Sequence, residues 1–84
     1  MNEYIQVATT VATEEEARAI AGLLVEQRLA ACVQVIGPMT SHYRWQGKIE
    51  SAVEYLCLAK SRATLYSEIE AAIKAIHPYE VAEI

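Results

Sequence analysis

The chain contains no aspartate: all eleven of its acidic residues are glutamate. It has no Gly-rich phosphate loop and no Ser-His-Asp set, and no nucleophile comes with an assigned base. The expectation is a protein that is not an enzyme. No run of Lys or Arg occurs, residues such as Arg18, Arg28, Arg44, Lys60 and Lys74 stand singly, and the net charge is −4. A surface that tracks nucleic-acid phosphates is therefore not expected. Nor are the five Tyr and one Trp interleaved with basic residues, as in a single-strand binder. No apolar run approaches the roughly 20 residues of a membrane span. The two cysteines, Cys32 and Cys57, sit within apolar, β-branched stretches and lack the dense spacing of a disulfide framework. The opening "MNEYIQVATT" lacks the charged and then apolar regions of a signal peptide. These features together point to a cytoplasmic protein with reduced thiols.

What is present is a small, apolar-rich chain. Its 84 residues make one domain, 1–84, and 54% of them are hydrophobic. So short a chain buries a modest share of its surface, which leaves apolar area for a partner, and self-association is the simplest outlet. "EYIQVAT" reads as a strand. Thr13, with Glu16 three residues on, forms a capping box, and three Glu in the first turn suit the positive end of a helix dipole. Ala17, Ile20, Ala21, Leu24 and Val25 make one apolar helix face, closed by Arg28. A second strand follows, interrupted at Gly37-Pro38 by a bulge or an edge, because Pro cannot donate to a ladder. "QGK" is a turn with Gly47 at positive φ, and a third strand pairs back. Ser61 is the candidate cap of a second helix carrying Leu65, Ile69, Ala72, Ile73 and Ile76, with a Glu70–Lys74 pair. Pro78 ends it, and "YEVAEI" reads as a last strand. The order βαββαβ predicts an α+β, ferredoxin-like sandwich: a four-stranded antiparallel sheet with both helices on one face.

The middle hairpin is long for such a domain. Strands from Ala31 to Trp45 and from Lys48 to Lys60 would each span roughly 45 Å at about 3.3 Å per residue. A domain of this length is only roughly 30 Å across. The tip must project, carrying Met39, Tyr43, Trp45, Ile49 and Val53, and such a hairpin is poorly stable alone. The reading is that it packs on another copy of the chain, with Gly37-Pro38 bending it toward its neighbour.

Leu29 to Cys32, then Ser41, Tyr43, Trp45, Gly47 and Lys48, then His77 to Glu80, together resemble the signature of the CutA proteins, the divalent-cation tolerance family. "VAEI" resembles the family's Val-Pro-Glu-Ile, with Ala82 in place of Pro. The likeness covers nearly the whole chain. It implies a ferredoxin-like protomer, a homotrimer built through the long hairpins, and an architecture like that of the PII signalling proteins. Family members usually continue past Glu-Ile, so a C-terminal segment usual in the family is absent here.

The resemblance also implies a role in cation tolerance, and copper binding is proposed for some members. The positions aligned with the proposed ligands are Thr9, Ile76 and His77, of which His77 alone is a donor of that kind. The candidate metal ligands are thus His77 and Cys32, for copper or another divalent cation. Cys32 and Cys57 would pair as soft ligands for Cu(I) if the strands set them side by side; the alternative is that each is a small buried hydrophobe. His77 is equally placed to cap the last carbonyls of its helix. Tyr79 and Glu80 point to opposite faces by strand alternation, and Lys60 would meet Glu80 across a cleft. The candidate inter-subunit cleft comprises Tyr43, Trp45, Lys60, Tyr79 and Glu80, and a small anion or a metal ion is its expected ligand. Two functional readings follow: a PII-like binding or signalling module, and a structural trimeric platform with no small ligand.

Overall fold

The computed structural model describes residues 3–77. Strand β1 spans Tyr4–Val11, helix α1 Glu14–Glu26, β2 Cys32–Trp45 and β3 Lys48–Arg62; a 3-10 turn at Ala63–Leu65 leads into α2, Tyr66–Ile76. The strands form an antiparallel sheet in the order β1-β3-β2. The predicted fourth strand and the cleft residues Tyr79 and Glu80 lie outside the described residues.

Alternation decides the two faces of the sheet. Val7, Thr9 and Val11 of β1 are buried, as are Cys57, Ala59 and Ser61 of β3. Val7, Val11, Cys57 and Ala59 share one apolar cluster with Ala17, Ile20 and Leu24 of α1 and with Ile69 and Ile73 of α2. Both helices therefore cover the same face. Each fully buried Ile or Leu contributes about 1.5–3 kcal/mol. The opposite face carries Tyr4, Gln6, Ala8, Leu56, Leu58, Lys60 and Arg62 and has no layer over it among the described residues. Two positions read as core-facing prove exposed, Val25 at 46% and Ile76 at 43%, because each lies at the margin of its apolar stripe.

Local chemistry sets the element ends. The Thr13 hydroxyl accepts the Glu16 N–H at 3.1 Å and donates to the Glu16 carboxylate, so the capping box forms. At the far end of α1 the Leu29 N–H reaches the Leu24 carbonyl at 2.9 Å and the Arg28 N–H reaches that of Val25 at 3.1 Å. This is a Schellman motif, and its left-handed position, usually glycine, is held by Arg28 at φ 59°. Arg28 thus lies beyond the helix rather than closing its last turn. The hairpin turn puts Gln46 at φ 51° and Gly47 at φ 77° between the Trp45–Lys48 pair, the two positive values a type I′ turn requires. Ser61 is not a helix cap. It lies inside β3, which runs two residues beyond Lys60, and its hydroxyl donates to the Leu29 carbonyl.

The bulge at Gly37-Pro38 is real, and β2 is also an edge strand. Ile36 pairs with Leu56, but Met39 pairs with Glu54, so three steps on β2 match two on β3. One extra residue reverses the alternation of everything beyond it. Bulge and twist also shorten the hairpin: the longest dimension of the molecule is 38 Å. Gly37 sits where a Cβ would come 2.6 Å from the Tyr55 ring and 3.1 Å from the Glu54 carbonyl oxygen. Gly37→Ala is therefore expected to lower stability by about 1–3 kcal/mol, read by urea denaturation, since overpacking forces backbone or ring to shift. An unchanged midpoint would show that the strand gives way freely.

Candidate functional site

The uncovered sheet face has two ends, and the sequence-predicted residues divide between them. At the hairpin end, Met39, Ser41, Tyr43 and Trp45 pair with Glu54, Ala52, Glu50 and Lys48, which continue the alternation of Leu56 and Leu58. Tyr43 and Trp45 consequently stand on the uncovered face. They line a groove with Ala8, Thr10, Glu50 and Glu54. Thr10 contributes a buried hydroxyl that has no hydrogen-bond partner among the described residues. His42 and Arg44 belong by alternation to the other side of the hairpin, with Ile49 and Val53.

His77 is only 8% exposed. Its backbone N–H caps α2 by donating to the Ile73 carbonyl at 2.8 Å. Its Nε2 lies 2.9 Å from the Thr10 carbonyl oxygen, an acceptor, so Nε2 carries the proton and donates. The ring therefore ties the end of α2 to β1, next to the residue whose hydroxyl is buried in the hairpin groove. It is the backbone N–H of His77 that meets the end of α2, while Nε2 meets β1.

The cysteines are separated by the sheet. Cys32 is exposed and pairs in register with Lys60, whereas Cys57 is buried and pairs with Val35 and Thr9. They point to opposite faces and do not come together as soft ligands. The Cys57 thiol donates to the Ala17 carbonyl of α1 at 3.4 Å, and burial pushes its pKa up. Thr9 is buried at 3% against the same helix layer, and Ile76 offers no donor atom. Cys32 registers near Gln6, through Lys60, whereas His77 meets Thr10 toward the other end of β1. Among the described residues no three His, Cys, Asp or Glu side chains approach closely enough to hold a metal ion. Among the described residues of one protomer this donor set does not fit copper.

Lys60 lies at the opposite end of the sheet from Tyr43 and Trp45. It lines a second groove with Arg28 and Arg62, over a floor that includes Leu29 and Leu65. The Arg62 guanidinium stands 6.0 Å from the centre of the Tyr4 ring. Sequence reading did not join these cations, because Arg28 is distant in the chain from Lys60 and Arg62 and only the fold brings the Schellman turn beside them. No helix among the described residues is long and apolar enough to cross a membrane.

An α+β layer of two helices on one face of an antiparallel sheet, with a projecting hairpin, a groove on the other face and a second groove at the sheet's base, is the architecture to be placed. The chain belongs to the CutA1 family of divalent ion tolerance proteins, whose model matches residues 5–84. It is 47% identical over 78 residues to the divalent-cation tolerance protein CutA of Thermus thermophilus, covering 93% of this chain and 76% of that one. It is 44% identical over 75 residues to human protein CutA, covering 89% of this chain and 42% of the human protein. It therefore spans three quarters of one relative and less than half of the other. Among solved structures, the Thermus thermophilus protein superposes with a TM-score of 0.89 at 44% identity, covering 99% of this chain and 79% of that one. CutA1 from a psychrotrophic Shewanella gives 0.93 at 38% identity, covering 98% and 77%. A relative from Archaeoglobus fulgidus is named periplasmic and one from rice chloroplastic, so relatives bear the names of different compartments.

Two outcomes follow from the buried groups. His77→Ala leaves a carbonyl of β1 without its donor and is expected to cost about 1–3 kcal/mol in thermal or chemical unfolding. A loss below a few tenths would mean that water replaces the ring without penalty. In an alkylation time course at neutral pH, Cys57 should stay unlabelled until the chain is unfolded, because the buried thiol is both protonated and inaccessible. Labelling in the folded protein would show that α1 opens locally.

Proposed function

We propose that this chain works as a homotrimeric, PII-like binding or signalling module of the divalent-cation tolerance type, with the hairpins joining the copies and the ligand held between subunits beside Tyr43 and Trp45. One observation carries this reading: the hairpin exposes large apolar side chains on both of its faces. Tyr43 is 42% and Trp45 60% exposed on one face, Ile49 71% and Val53 56% on the other. The chain's own helices cover at most one face of a sheet, so a two-sided apolar hairpin calls for another chain. Homo-oligomers with closed symmetry are the usual way to supply it.

The ligand classes in this reading are a small anion and a divalent cation such as copper. A cation would draw donors from more than one copy, since those of a single protomer stand apart. The working compartment in this reading is the cytoplasm, in keeping with two cysteines that do not bridge within the chain. Chemistry on the ligand forms no part of it. The rival reading, a trimeric platform without a small ligand, draws support from His77, whose Nε2 serves the fold.

Sedimentation equilibrium should give three times the 9.3 kDa chain mass. The double variant Ile49→Lys/Val53→Lys should shift it toward a single chain. A monomeric parent protein would remove the assembly reading. A thermal-shift series with Cu(II), Zn(II) and small anions then separates module from platform, because a ligand that binds only the folded state raises Tm. A flat series would favour the platform.

A further inference from the structure

The groove at the base of the sheet is cationic in a chain whose net charge is −4. Arg28, Lys60 and Arg62 line it, and among the described residues no carboxylate does. The two ion pairs among the described residues, Arg18–Glu14 and Lys74–Glu70, lie on helix surfaces and use none of these three. Lys60 and Arg62 stand two residues apart on the uncovered face of β3, so they share one side of the strand. Arg28 arrives from the turn after α1. The groove holds about 900 Å³, within the range of small-molecule sites and far more than an inorganic ion needs. Its floor is apolar, with Leu29, Leu65 and neighbouring aliphatic side chains, and the Tyr4 ring lies beneath the Arg62 guanidinium.

Arg28 adds an independent observation. It occupies the left-handed position of the Schellman turn, where glycine carries no Cβ penalty. An arginine there departs from local preference, and such departures gather where a side chain has a task. Three like charges around one groove also repel, and a bound anion relieves that repulsion while accepting charge-assisted hydrogen bonds from the guanidinium groups.

We infer that this groove binds a small organic anion, with a phosphate or carboxylate head held by Arg28, Lys60 and Arg62 and an apolar or aromatic body seated on Val25, Leu65 and Tyr4. The site belongs to a single protomer and lies at the end of the sheet away from the hairpin. It therefore stands whether or not the assembly reading holds.

Calorimetric titration of the full chain with phenyl phosphate, benzoate, inorganic phosphate and benzyl alcohol tests it. Phenyl phosphate or benzoate should bind, and whichever binds more tightly identifies the head group. Inorganic phosphate should bind at least about tenfold more weakly for want of an apolar body, and benzyl alcohol not measurably. Arg28→Gln and Arg62→Gln, each confirmed folded by its melting curve, should weaken binding about tenfold. Lys74→Gln makes the same change in charge outside the groove and should leave binding unaltered. The hairpin variant Ile49→Lys/Val53→Lys should still bind, which separates this site from one formed between subunits. Absence of binding by both aromatic anions would overturn the inference. So would equal binding of benzyl alcohol or of inorganic phosphate, equal weakening by Lys74→Gln, or loss of binding in the hairpin variant.

Discussion

One extra residue in β2 governs what this molecule offers to others. Between the Ile36–Leu56 and Met39–Glu54 pairs the strand gains a step, and the alternation of every later side chain reverses. Without that step, Tyr43 and Trp45 would point the way His42 and Arg44 now do. With it, they join Leu56, Leu58 and Ala8 on the uncovered face. The close approach of Gly37 to the Tyr55 ring and the Glu54 carbonyl makes the bulge a packed feature, since no side chain fits there unless the strand moves. The type I′ turn at Gln46-Gly47 then holds the register to the tip. Bulge and turn together decide which face of the hairpin is aromatic.

The same sheet separates two kinds of surface. Its helix side is a closed apolar core, to which Cys57 and Thr9 belong as small buried groups. Its open side has an aromatic groove with glutamates at the hairpin end, and a cationic groove lies at the base, where the end of the sheet meets the turn after α1. Metal chemistry at Cys32 and Cys57 is ruled out within the protomer by this partition, because side chains on opposite faces of one sheet cannot share an ion. His77 shows how a residue that suggests a ligand by type is absorbed by architecture. Its Nε2 bridges 67 positions of sequence to hold the start of the chain against the end of α2.

Membership in the divalent-cation tolerance family constrains function less than it constrains shape. The relatives share the fold closely, and names among them speak of tolerance to cations, yet the donor atoms of the described residues in a single copy do not converge. The hairpin exposes large apolar side chains on both of its faces.

Much of the fold was legible in the residues. The Thr13–Glu16 box, the helical spacing from Ala17 to Leu24, the Gly47 turn and the break at Gly37-Pro38 are local signals, each set by neighbours within a few positions, and each appears in the structure. That the hairpin is long followed from counting, but its span, within a molecule 38 Å in its longest dimension, did not. What sequence could not decide depends on contacts between distant positions. Ser61 looks like a cap beside its neighbours, but strand pairing carries β3 through it and turns its hydroxyl to Leu29. Arg28 looks like the basic end of a helix, but the Schellman turn makes it a wall of a groove shared with Arg62 and Tyr4. Caps, turns and periodicity are determined by the backbone of a few adjacent residues, so the sequence by itself determined them. Which face a cysteine points to, and which lone cations meet, depends on register and crossover, and only the tertiary structure decided those.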